Sequence, residues 1–224
     1  MCAHYESTHD KARLQQYFGI DLPGEQARRD VWPGYLSTFL RRHPRAHVGD
    51  EAVPPREGLL GSFGLIPAWS KDTRIARHTY NARSETVASK PSFRDAWRQA
   101  QHCIVPLEAF FEPDWRSGKA VPTRIRRASG EPMGVAGLWA AWKDEKGEIL
   151  HSFTLLTINA DAHPLMNQMH KPGEEKRMIV ILPPERYDDW LQASAQSSDE
   201  FLQPIAADQL IAQTATPQQS SLGL

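Results

Sequence analysis

The chain has 224 residues, with 26 basic and 27 acidic side chains and a formal net charge of −1, so bulk charge does not make it a general polyanion binder; contact with nucleic acid requires a local patch. Hydrophobic residues make up 40% and charged residues 24%, and no apolar run nears the ~20 residues that cross a bilayer, which excludes a membrane span and extensive disorder. Two cysteines, Cys2 and Cys103, exclude a disulfide framework.

In chain order, the opening Met1-Cys2-Ala3-His4 lacks the basic and apolar regions of a secretory signal, so a cytoplasmic location is expected. Residues 35–42 are open between two periods: Leu36, Thr38 and Leu40 alternate as in a strand, whereas Tyr35, Leu36, Phe39 and Leu40 suit a helix. Short apolar runs bounded by Gly, Pro and polar clusters predict strands at 59–66, 102–106, 122–127, 135–142, 153–159 and 178–182. Phe93, Ala96, Trp97 and Ala100 behind Ser92 predict a capped helix over 93–101. A second helix is predicted over 184–193, with Pro184 in its first turn and Tyr187, Trp190 and Leu191 on one face. Cys103, inside an apolar run, reads as a buried, inert thiol. The pattern is that of an α+β, β-rich single domain over residues 1–216, with a mobile tail at 217–224.

Chemistry concentrates at Cys2. Loss of the initiator methionine would leave a thiol beside a free α-amine, a 1,2-aminothiol. The reference pKa values of these groups, ~8.5 and ~7.7–8.0, give both an appreciable nucleophilic fraction near neutral pH. With an aldehyde, the amine forms a Schiff base and the thiol can close a five-membered thiazolidine ring.

Four segments together resemble the SRAP family, the SOS-response-associated peptidase-like proteins that shield abasic sites in single-stranded DNA. They are Met1-Cys2; Asn81-Ala82-Arg83-Ser84-Glu85-Thr86; Cys103-Ile104-Val105-Pro106 leading to Phe110-Phe111-Glu112; and Thr157 and Ala160 followed by His170 and Arg177-Met178. There are departures. Ala3-His4 stand where the family has Gly-Arg, and six residues, 171–176, separate His170 from Arg177 where the family has one or two, leaving the pairing of those side chains open.

The resemblance implies a fold of twisted antiparallel strands forming a partly barrel-like sheet with a few flanking helices. It implies that Cys2 captures the C1′ aldehyde of an abasic sugar, with Glu112 as acid/base, His170 assisting ring opening and crosslink release, and Asn81 orienting Cys2. Glu108 and His163 are the rivals of Glu112 and His170. His4, Arg83, Thr157 and Arg177 would lie at the DNA, and Trp69 is a base-stacking candidate with core packing as its alternative. Basic runs at 116–127 and 71–98 could form a DNA-facing stripe. The implied partner is single-stranded DNA containing abasic sites, bound by a monomer without membrane contact. His43 and His47 stand four apart without a helix signal around them, and no metal or cofactor is expected. Lyase-like and autopeptidase activities accompany this reading. A hydrolase with an amino-terminal thiol nucleophile and a noncatalytic nucleic-acid-binding domain are the alternatives.

Overall fold

Apolar runs that lose their alternation mark strands covered on both faces, and this chain wraps its longest runs around one another. A computed structural model describes residues 2–21, 28–46 and 52–214. In order, the elements are β1 (Tyr5–Ser7), α1 (Lys11–Phe18), β2 (Asp30–Val31), β3 (Leu36–Arg42), β4 (Arg56–Phe63), β5 (Asn81–Arg83), α2 (Arg94–Arg98), β6 (His102–Asp114), β7 (Val121–Arg127), β8 (Met133–Lys143), β9 (Ile149–Asn159), β10 (Arg177–Ile179), β11 (Ile181–Leu182), α3 (Tyr187–Gln192) and β12 (Leu210–Thr214). Among the described residues no helix is long and apolar enough to cross a membrane. His47 and the tail at 217–224 lie outside the described residues.

The sheet runs β11-β8-β9-β4-β3-β6-β1-β2, and a further pairing of β6 with β8 closes β8, β9, β4, β3 and β6 into a five-stranded barrel. The ladders are antiparallel except where β4 and β5 run parallel to β9. Phe39, Phe63 and Phe153 are completely buried, with Phe153 centred 5.6 Å from Phe39 and 5.7 Å from Phe63. Burying each such ring contributes roughly 1.5–3 kcal/mol.

Residues 36–42 form a strand. Ser37, Thr38, Phe39 and Leu40 are buried in succession because β3 lies between β4 and β6 with both faces covered. The strand predicted at 59–66 ends at Phe63, because Gly64 turns the chain at φ 121 and its N–H donates to the Phe153 carbonyl at 2.8 Å. A Cβ at Gly64 would collide with the Ala76 carbonyl, so only glycine fits. The strand expected at 102–106 continues to Asp114; Pro106 does not break it, since its carbonyl accepts from the Thr8 N–H at 3.1 Å. The expected 178–182 strand divides at Val180, which bonds to Leu156 and Ala136 as the chain passes from β9 to β8.

The helix at 93–101 is shorter than expected, 94–98, and Ser92 does not cap it: Phe93 occupies that position without a side-chain hydrogen bond. α3 follows a single 3-10 turn at Pro184–Arg186 and buries Tyr187, Trp190 and Leu191 as its periodicity requires. Its Trp190 donates to the Cys103 carbonyl at 2.9 Å, and Phe18 of α1 stacks on Tyr187 at 5.7 Å, fastening both helices to the barrel. Cys103 is completely buried, and burial pushes its thiol up, so it stays protonated.

Candidate active site

Cys2 is placed by β1. Tyr5 lies opposite Phe110, and the Phe111 N–H donates to the His4 carbonyl at 3.0 Å; continuing that antiparallel register sets residue 3 opposite Glu112 on the outer half of β6. Cys2 retains 1% and Glu112 3% of its surface. Burial, and then the charge of Glu112, push the Cys2 thiol far up, so it holds its proton at neutral pH until a base removes it. The thiol donates to the His4 carbonyl at 3.6 Å.

Asn81 opens β5, opposite Leu155 of β9, and its Nδ2 donates to the Cys2 carbonyl at 2.8 Å. Its Oδ1 is buried without a donor among the described residues. His170 is fixed at the end of β6: its N–H donates to the Pro113 carbonyl at 2.8 Å, and Met169 bridges Asp114. Its φ of 62 is left-handed, a conformation that costs a non-glycine residue ~1–2 kcal/mol and persists where surrounding contacts impose it. The turn sets Nε2 2.8 Å from Glu112 Oε2. Four residues 31 to 79 positions from their nearest sequence neighbour in the set thus meet at one end of β6.

Tyr80 belongs to the same site and was missed in the sequence. It is half-buried, its ring lies 5.7 Å from Phe63, and its hydroxyl is pushed up by burial and then by the charges of Cys2 and Glu112. Its only sequence signal is adjacency to Asn81. The rivals lie elsewhere. Both oxygens of Glu108 accept from Arg13 of α1, at 2.9 and 3.0 Å. The His163 Nδ1 accepts from the Leu165 and Met166 N–H groups, and its Nε2 stands 2.9 Å from the Ile205 carbonyl, as in a structural turn.

The residues expected at DNA divide. His4 is sandwiched between Trp32 and Phe111, with ring centres at 4.1 and 4.2 Å, and its Nε2 lies 2.8 Å from Asp30. Trp69 is exposed and donates to the Pro91 carbonyl at 3.2 Å, which removes core packing as its role. Thr157 is a correction: it is buried, and its backbone and side-chain oxygens accept from Arg177 at 2.7 and 3.2 Å, so it holds that arginine rather than facing outward. Arg177, expected at the DNA, is not exposed. It lies buried on β10, bidentate to Glu85 at 2.8 and 3.0 Å, and it donates to Glu175 at 2.7 Å instead of turning to His170. Arg83 is half-exposed and donates to the other oxygen of Glu175 at 2.8 Å. Two of the five cations of the basic run at 116–127 are neutralised, since Arg116 pairs with Asp114 and Arg124 with Glu6.

The closed barrel thus sets Cys2, near the start of the chain, in one site with an asparagine, a carboxylate and an imidazole. This chain belongs to the SRAP family, described as SOS response associated peptidase, which it matches over residues 1–218. It is 35% identical over 152 residues to the abasic site processing protein YoqW of Bacillus subtilis, a match covering 66% of this chain and 64% of that protein. It is 27% identical over 192 residues to the abasic site processing protein HMCES of Gallus gallus, covering 75% of this chain and 55% of the relative. The matched region thus spans less than two thirds of these relatives' lengths. A crystal structure of a protein from Bordetella bronchiseptica, 45% identical, superimposes with a TM-score of 0.86 over 96% of this chain and 100% of that one. One from Bacteroides thetaiotaomicron, 22% identical, shares the fold at a TM-score of 0.80, covering 96% of this chain and 93% of that one.

Proposed function

We propose that the protein processes abasic sites in single-stranded DNA by covalent capture at Cys2, once removal of Met1 frees its amine, and so shields the damaged strand. The observation that carries this reading is the meeting of Cys2 with Asn81, Glu112 and His170. The names of its relatives point to the same substrate.

The chemistry follows from the groups present. A ring-opened abasic sugar offers an aldehyde at C1′, which the Cys2 amine attacks to give a carbinolamine. The proton shed by nitrogen passes through the Glu112 carboxylate to the hydroxyl, which leaves as water and gives an imine. The buried thiol then loses its proton, Sγ bonds to C1′, and the former imine nitrogen gains a proton. Aldehyde and aminothiol thereby become thiazolidine and water. The unfilled Asn81 Oδ1 is suited to accept from the amine and aim its lone pair. His170 holds Glu112 in line and shares its proton traffic, including the transfer to the sugar oxygen on ring opening or release. Lyase-like scission branches from the imine: loss of a C2′ proton expels the 3′ phosphate before sulfur adds.

The test is to mix the mature protein with a single-stranded oligonucleotide carrying one abasic site and to seek a denaturation-resistant adduct by gel and intact mass. An adduct whose mass equals the sum of its components less one water, absent with Cys2→Ala, is expected. Failure of the unmodified protein to form it overturns the reading, and turnover of small amides without DNA would instead mark a hydrolase.

A further inference from the structure

The segment 171–176 places a carboxylate where two arginines converge. Glu175 Oε2 accepts from Arg83 at 2.8 Å and Glu175 Oε1 from Arg177 at 2.7 Å, so one anionic group bridges guanidiniums carried by β5 and β10. Two oxygens of one phosphodiester can make the same pair of contacts, since guanidinium donors suit carboxylate and phosphate alike. The rest of the cluster is built to last: Arg177 is buried, bidentate to Glu85 and fixed to Thr157. Glu175 makes one contact to each arginine, through a different oxygen, where Glu85 grips Arg177 with both. Residues 171–175 are all exposed, and the segment is closed chiefly by Lys176, whose ammonium donates to the His170 and Lys171 carbonyls at 3.0 and 2.9 Å.

We propose that Glu175 is an internal competitor for a DNA backbone phosphate, occupying the Arg83–Arg177 seat until a phosphodiester displaces it. This rests on the proposed function for the identity of the strand, and it adds a selectivity device. With Glu85 and Glu175 in place the two arginines are neutralised, so intact single strands gain little from this seat. A strand also held at Cys2 brings a phosphate at high effective concentration and makes the exchange favourable.

The experiment measures binding of an intact oligothymidylate by fluorescence anisotropy across a salt series, for the unmodified protein, Glu175→Gln and Glu174→Gln. Glu174 is an exposed neighbour without an ion pair among the described residues, so its variant makes the same charge change outside the seat. Glu175→Gln should bind roughly two- to fivefold more tightly, the scale of a surface ion pair, with a log–log salt slope steeper by about 0.7, one further phosphate. Glu174→Gln should shift affinity less and leave the slope unchanged. Equal gains in both variants, or no gain in Glu175→Gln, overturn the proposal. Adduct formation on an abasic oligonucleotide is scored separately: unchanged intact-strand binding with a normal adduct removes only the competitor, whereas a missing adduct with the predicted binding gain removes the covalent reading alone.

Discussion

His170 reaches Glu112 only because its backbone is left-handed: at φ 62 its N–H bonds to the Pro113 carbonyl while its ring turns back to bring Nε2 within 2.8 Å of the carboxylate one residue earlier on β6. Asparagine tolerates this conformation better than most residues. His170→Asn should therefore retain the fold and the encounter with DNA, and slow adduct formation by roughly 100-fold or more. Quenched time courses on an abasic oligonucleotide, alongside binding of an intact one, provide the check. Equal losses in both would make His170 a structural residue.

Cys2→Ser separates the amine from the thiol. The amine survives, so borohydride should trap an imine with abasic DNA, whereas without reductant the adduct should be lost on denaturation. A serine adduct as durable as that of cysteine would show that ring closure by sulfur is not what holds the DNA.

Glu6 anchors β1, and therefore Cys2, to β7: Arg124 donates to its two oxygens at 2.9 and 2.7 Å. Hydrogen bonding from Arg124 holds the Glu6 carboxyl below its ordinary 4.5. Its contribution is therefore fully present above that value and is lost as pH falls through the lower folded-state range. Glu6→Gln should cost about 1–2 kcal/mol at pH 7, tempered because Arg124 is partly exposed and can rehydrate. Denaturant titrations should show that penalty shrinking in acid.

His102 adds a second contribution that is lost toward acid, from burial rather than from an ion pair. Buried against Trp190, with Nε2 2.9 Å from the Ser198 hydroxyl, its imidazole is pushed down to about 4 by burial. The unfolded chain binds a proton near 6.5 and the folded one does not, so stability is present above 6.5 and declines as pH falls from there toward 4. The decline should total roughly 3 kcal/mol. His102→Gln should flatten that part of the pH–stability profile, measured as denaturant midpoints between pH 7 and 4.5; an unchanged slope would assign it to other groups.

Much of the barrel was legible because its strands are long apolar runs between turn residues, and the resemblance marked Cys2, Asn81, Glu112 and His170 in advance. What escaped was short or doubly covered. β1 has three residues, all buried, too few for alternation to register. α1 buries only Leu14 and Phe18 over eight residues, and its plainer marks are at its ends, where the Asp10 side chain accepts from the Arg13 N–H and Gly19 is left-handed. The burial of Arg177 was illegible for another reason. Its partners Glu85 and Thr157 lie far away in the chain, and only the alignment of β5 and β10 along β9 assembles them.

Barrel closure also governs how copies of this protein meet. A long unpaired strand rim invites another chain to add to the sheet. Here the ring of five strands has closed on itself, and the sheet path ends in β11 and β2, of two residues each. Neither end is long enough to template a ladder, and β12, with five residues, pairs only with β7. Two copies of the chain would thus be poorly equipped to zip together through the ends of this path.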